Sequence, residues 1–136
     1  MTHDLWMMLS LVVLTELLTL PPLFARASVP GGIRWIFYNR DTVLEGVAPW
    51  GERAVRAHSN MADNLAIYAG VIVIAHLTGA ANETTAIAST AILAARVLHA
   101  AVYIAGIPYL RTAVFAVAQF SMLVCVWQIA AHFLAQ

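Results

Sequence analysis

Four long apolar runs make up most of the 136-residue chain, and polar or Gly/Pro-rich turns separate them. The first, residues 5–25, holds about twenty mostly apolar positions, enough to span roughly 30 Å of hydrocarbon as a helix. Glu16 interrupts it near mid-depth, and Pro21-Pro22 should kink or loosen its last turns. Residues 26–51 are the most polar stretch, carrying Pro30-Gly31-Gly32 and Pro49-Trp50-Gly51. They are expected to form a loop at the membrane interface, with Trp35, Tyr38 and Trp50 at headgroup level. A second helix is predicted over about 52–78. A third follows over about 84–106, with Asn82 as its N-cap. Its Ala, Ser and Thr residues would let neighbouring helices approach closely. Gly106-Ile107-Pro108 breaks it, and a fourth helix is predicted over about 110–133. The pattern predicts an all-α fold: a single integral membrane domain over 1–136, built as a four-helix bundle.

Composition sharpens this picture. At 62% hydrophobic and 10% charged residues, the chain has too little polar surface for a water-soluble domain. Its zero formal charge excludes nucleic acid as an expected partner and argues against a basic peripheral anchor. The single cysteine, Cys125, sits in an apolar run and reads as a buried inert thiol. With no positive region ahead of the first run and no small-residue cleavage pattern, residues from Leu5 onward read as a retained helix. All seven basic residues are arginines. Arg26, Arg34, Arg40, Arg53 and Arg56 lie in or beside the first loop, and Arg111 follows the third. The positive-inside rule then puts 26–51 and 107–110 in the cytoplasm and both termini outside.

The second helix opens on polar groups. Arg53, Arg56, Asn60 and Asp63 fall at helical spacing and share one face. Arg96, His99 and Tyr103 form a similar stripe on the third helix. A short turn joins these helices, so they should run antiparallel, and residues whose numbers add to a constant should lie level. Arg56 with Tyr103, Asn60 with His99, and Asp63 with Arg96 satisfy that condition. The deepest rung predicts a structural ion pair between Asp63 and Arg96, since an unpaired charge there is expensive. Glu16 should reach a similar depth and compete for Arg96. Nearer the surface, Arg53, Arg56, Asn60, Tyr103 and Arg111 suit a small anionic ligand, because guanidinium binds carboxylate in a fixed two-pronged geometry. Arg34 and Arg40 read instead as interfacial arginines. The five histidines are scattered without metal-site spacing.

Arg56-Ala57-His58-x-Asn60-x-x-Asp63-Asn64 resembles the second-helix motif of the MAPEG family, membrane-associated proteins of eicosanoid and glutathione metabolism. Arg96-x-x-His99-x-x-x-Tyr103 is similar to the family's third-helix pattern, and Arg111-Thr112 with Ala118-Gln119 to the start of its fourth helix. The resemblance covers roughly residues 5 to 133. It implies a four-helix protomer, a homotrimer, and glutathione as co-substrate, bound between protomers near the cytosolic side. Residue by residue, it implies Arg56, Asn60, Asp63, Tyr103 and Arg111 as glutathione contacts, with Arg96 pairing Asp63. Asp63 stands where glutamate is usual. Phe115 takes the place of a tyrosine found in eicosanoid-synthesising members, so eicosanoid synthesis does not carry over. The first loop is long and Gly/Pro-rich, as in bacterial relatives.

The leading expectation is a bacterial inner-membrane protein that conjugates or reduces lipophilic electrophiles with glutathione. In it Arg111 holds the thiolate, Thr112 adds a hydroxyl, and Arg53 joins the binding set. Its partners would be copies of itself, membrane lipid and a lipophilic substrate. One rival is a non-catalytic membrane scaffold that binds lipid or glutathione. Another is a small transporter subunit with Glu16, Asp63 and Arg96 as a proton relay.

Overall fold

The computed structural model of the chain describes residues 2–135. Among them, four helical segments are long and apolar enough to cross a membrane: His3–Ala27, Pro49–Leu77, Glu83–Ala105 and Pro108–Leu134.

The first segment is two helices, α1 (His3–Leu17) and α2 (Leu20–Ala27). The prolines do not loosen the last turns of one helix; they stand in the first turn of a new one. A proline ring collides with the carbonyl four residues back, and its missing N–H costs nothing in a first turn. The chain therefore breaks ahead of Pro21, at Leu18-Thr19. There the Thr19 N–H and hydroxyl both donate to the Glu16 carbonyl, at 3.0 Å and 2.7 Å, closing the end of α1.

Residues 28–48, expected as a loop, include a short helix, α3 (Gly32–Phe37). Gly31 starts it from a left-handed conformation, φ 77°, which few side chains tolerate. The Trp35 indole N–H then donates to the Thr42 carbonyl at 2.6 Å, folding the segment back on itself.

Helix α4 (Pro49–Leu77) begins at Pro49, three residues before the expected start at Glu52, because proline fits a first helical turn. Gly51 lies so close to α2 that a Cβ there would collide with Ala25. Helix α5 (Glu83–Ala105) opens on a capping box. The Asn82 side chain accepts from the Thr85 N–H at 3.1 Å, and the Asn82 N–H donates to the Thr85 hydroxyl at 2.9 Å. It ends at Gly106, with φ 83°, and α6 (Pro108–Leu134) follows after one residue.

Helix α5 is the centre of the bundle and packs against α1, α4 and α6. Its many alanines make this possible, since a thin helix can be covered on several sides. Leu11, Leu18, Met61, Tyr68, Ile92 and Ala118 belong to the buried core. Cys125 is buried as well. Outward, Phe24, Ile74, Leu77, Ile87, Phe120 and Trp127 are exposed. A surface this apolar is unstable in water and normal in lipid.

Candidate functional site

The two polar stripes meet. Arg96 of α5 donates from Nη2 to Asn60 Oδ1 of α4 at 2.9 Å and from Nε to the Met61 sulfur at 3.2 Å. The guanidinium also lies 5.9 Å from the Tyr68 ring centroid and 5.8 Å from that of Phe115. The expected ion pair is not formed within the protomer: Asp63 is exposed, and Arg96 is bound to Asn60. Level depth is not a shared face. Three residues beyond Asn60, Asp63 is turned about 60° from it around the helix, enough to carry its carboxylate out of the α4–α5 seam. Glu16 is exposed too, so Glu16, Asp63 and Arg96 do not form a continuous relay.

At the end of the bundle bearing the 28–48 segment and the Gly106–Pro108 turn, two clefts adjoin. One, of about 240 Å³, is lined by Asn60, His99, Tyr103, Arg111, Thr112 and Phe115. The other, of about 180 Å³, is walled by Arg53 and Arg56 and by the Gly106–Pro108 turn, and shares Tyr103 and Arg111 with the first. The shared wall is a stack. The Arg111 guanidinium sits 4.7 Å from the Tyr103 ring centroid, and His99 meets Tyr103 edge-on at 5.5 Å and Phe115 at 5.7 Å.

Local sequence explains how these groups are held. Pro108 starts α6 right after the Gly106 turn, which brings Arg111, one turn into α6, over Tyr103 near the end of α5. Arg53 crosses the same turn and donates from Nε to the Ile104 carbonyl at 2.8 Å. Gly106 is needed there twice. Its positive φ disfavours other residues, and a Cβ would come within 3.0 Å of Arg53 Nε. The Thr112 hydroxyl donates to the Pro108 carbonyl of its own helix at 3.2 Å. Only its oxygen lone pairs therefore remain for the cleft.

The charge balance is one-sided. Arg53, Arg56 and Arg111 line these clefts, and no carboxylate does. Clustered guanidiniums with no anion among them repel one another and favour any carboxylate that enters. Of the residues expected at the site, Arg53, Arg56, Asn60, Tyr103, Arg111 and Thr112 come together here, Arg96 stands behind Asn60, and Asp63 lies outside. A larger cleft, about 370 Å³, lies in the 31–44 segment. There Arg40 stacks on Trp35 at 5.5 Å and Arg34 on Tyr38 at 5.0 Å, and Asp41 shares the lining. That cleft lacks the one-sided charge.

Phe115, which the resemblance sets in the place of a family tyrosine, lines the cleft together with His99, which the spacing offered only as a rung of the stripe; a deeper polar cluster went unforeseen. Gln119 Nε2 of α6 donates to Asn64 Oδ1 at 2.8 Å and to the Tyr68 hydroxyl at 3.2 Å. The Asn64 amide in turn donates to the Asn60 carbonyl at 2.8 Å. Gln119 belongs to the fourth-helix motif of the resemblance, but α4 and α6 are not consecutive, so no turn fixed their relative level.

The fold and this cleft define an integral membrane protein of four spanning segments with a cationic recess between three of them. The MAPEG family model matches residues 5–131, and the chain belongs to that family. The family includes glutathione-binding transferases and related membrane proteins with lipid-soluble substrates. No curated protein and no solved structure matches the chain.

Proposed function

We propose that the protein binds glutathione in the paired clefts and either conjugates it, through its sulfur, to a lipophilic electrophile with loss of the leaving group, as a transferase, or reduces a lipid peroxide to the alcohol while two glutathiones are oxidised to the disulfide, as a peroxidase. The observation that carries this reading is the set of three guanidiniums lining the clefts without a carboxylate. A ligand with two carboxylates and several amide carbonyls fits such donors. Glutathione supplies the nucleophilic sulfur. On this reading Arg53 and Arg56 hold its carboxylates, and Asn60 and Tyr103 orient its peptide groups. Arg111, at the junction of the clefts, holds the thiolate and so maintains the nucleophile at neutral pH. The electrophile enters sideways from the bilayer along α6, beside Phe115, whose ring borders the recess.

The protein is proposed to be a homotrimer. The exposed carboxylates of Glu16 and Asp63 on membrane-spanning helices support this, because lipid is a poor environment for them and a neighbouring protomer would cover them. Asp63 would meet the ligand's ammonium from the α4 face. The arginine distribution supports an orientation with 26–51 and 107–110 cytoplasmic and the termini outside, and the long Gly/Pro-rich first loop supports a bacterial inner-membrane setting.

One observation favours a second reading, a binding protein without turnover. The Thr112 hydroxyl hydrogen is committed to Pro108, and Phe115 offers none, so the sulfur would receive no hydroxyl donor from these two residues. An assay of the purified protein with glutathione and an activated aryl halide separates the readings. Turnover that disappears in Arg111→Ala supports the enzyme, and binding without turnover supports the second reading. Neither binding nor turnover removes both.

A further inference from the structure

Arg96 is 1% exposed, inside a membrane-spanning helix, and no carboxylate partners it among the described residues. Its Nη1 is buried without any hydrogen-bond partner, and its Nε contacts only a thioether, a weak acceptor. As a packing element this is a poor choice, since an apolar side chain would fill the space without desolvating a charge. Its one strong bond, at 2.9 Å, runs to the Oδ1 of Asn60, a residue that lines the cleft.

We infer that Arg96 is a positioning residue that fixes which end of the Asn60 amide faces the ligand. A guanidinium can only donate, so the amide must present its oxygen to Arg96 and turn its NH₂ away. No protein acceptor engages Asn60 Nδ2 among the described residues, and Asn60 lies on the cleft wall. At Asn60 itself the wall therefore offers only N–H donors. A carbonyl or carboxylate oxygen of the ligand is accepted there; an ammonium or amide N–H is rejected, because it would leave two donors facing each other. The neighbouring backbone is steadied as well, since the Asn64 side chain bonds the Asn60 carbonyl.

This inference deepens the glutathione reading and rests on it for the ligand, but the amide orientation can be measured without ligand. Side-chain amide ¹⁵N relaxation of Asn60 in detergent should give a rigid order parameter, about 0.85, in the wild type. In Arg96→Met it should fall below about 0.6, and Arg96→Lys, which keeps a donor, should restore it. Glutathione titration should be weakened about tenfold in Arg96→Met and recover in Arg96→Lys. Asn60→Asp keeps the bond to Arg96 and the fold but replaces the NH₂ by oxygen, so it should lose at least as much affinity. An Asn60 amide as rigid in Arg96→Met as in the wild type overturns the inference, as does full affinity in Asn60→Asp. A rigid, Arg96-dependent amide in a protein that binds no glutathione upholds the positioning role and removes the proposed ligand.

Discussion

The two ends of the bundle handle polar groups in opposite ways. At the far end, where the chain begins, buried Asp4 accepts from the Ser89 hydroxyl at 2.9 Å and the Thr85 hydroxyl at 3.4 Å. His3 pairs with Thr90 at 2.7 Å, and Asn82 donates to Gln128 at 2.9 Å. Each bond ties two of α1, α5 and α6, and the donors and acceptors use each other up. At the Arg-rich end, Arg53 spends one N–H on Ile104, Arg111 stacks on a ring, and Nη1 of Arg96 has no hydrogen-bond partner. Closed networks hold helices together; open ones are poised for something that is not the protein. That contrast, more than the presence of polar residues in a membrane, is what marks the site.

The comparison can be broken most directly at Arg111. Replacing it with alanine should lower glutathione-dependent turnover by about 10² to 10³-fold, the usual loss for one group stabilising charge at a reacting centre. The thermal midpoint should hardly move, because the Arg111 side chain stacks on Tyr103 and makes no hydrogen bond among the described residues. Unfolding instead of inactivation would mean that this end is scaffold too. Asp4→Ala should behave in the reverse sense. Stability in detergent should fall by about 1 kcal/mol, as α1 loses its hydrogen bond to Ser89 of α5 while the Ser89 and Thr85 hydroxyls keep the Ala86 and Asn82 carbonyls as acceptors, and glutathione affinity should stay within about twofold of wild type. Gly106→Ala should do some of both: about 1–2 kcal/mol of strain at a positive φ, and a several-fold weaker ligand as Arg53 is pushed aside. Gln128→Ala, removing a half-exposed bond at the far end, should cost about 0.5 kcal/mol or less and leave binding unchanged.

Much of this architecture was legible in the sequence for a simple reason. A lipid-crossing helix needs a long apolar run, and such runs stand out between Gly, Pro and polar turns. The break at Leu18-Thr19 was harder, because the prolines act on carbonyls that precede them, so the helix fails upstream of its cause. Helix α3 was missed because six residues carry little periodicity; it exists through Gly31 and the fold-back of Trp35 onto Thr42. For the site, the stripe argument put α4 and α5 side by side at the right level: Asn60 and His99 line one cleft, and Arg56 and Tyr103 the other. It erred over Asp63 because spacing gives depth well and rotation poorly. A difference of one-sixth of a turn separates a buried partner from an exposed carboxylate, and arginine's reach let Arg96 choose an amide one turn away. The Gln119–Tyr68–Asn64 cluster joins helices that no short turn links, so sequence order alone offered no register for it.

The central claim is that the unpaired guanidiniums of the Arg-rich end bind a carboxylate-bearing thiol. A thermal-shift titration of the detergent-purified protein with glutathione tests it most directly, since a ligand of the folded state raises its stability by mass action. The account predicts a shift that grows with concentration, reaching about 2.7 kcal/mol at a hundredfold excess over Kd. The shift should shrink when Arg56 and Arg111 are both replaced by alanine. A folded protein whose midpoint ignores glutathione, or responds equally in the double variant, would contradict it.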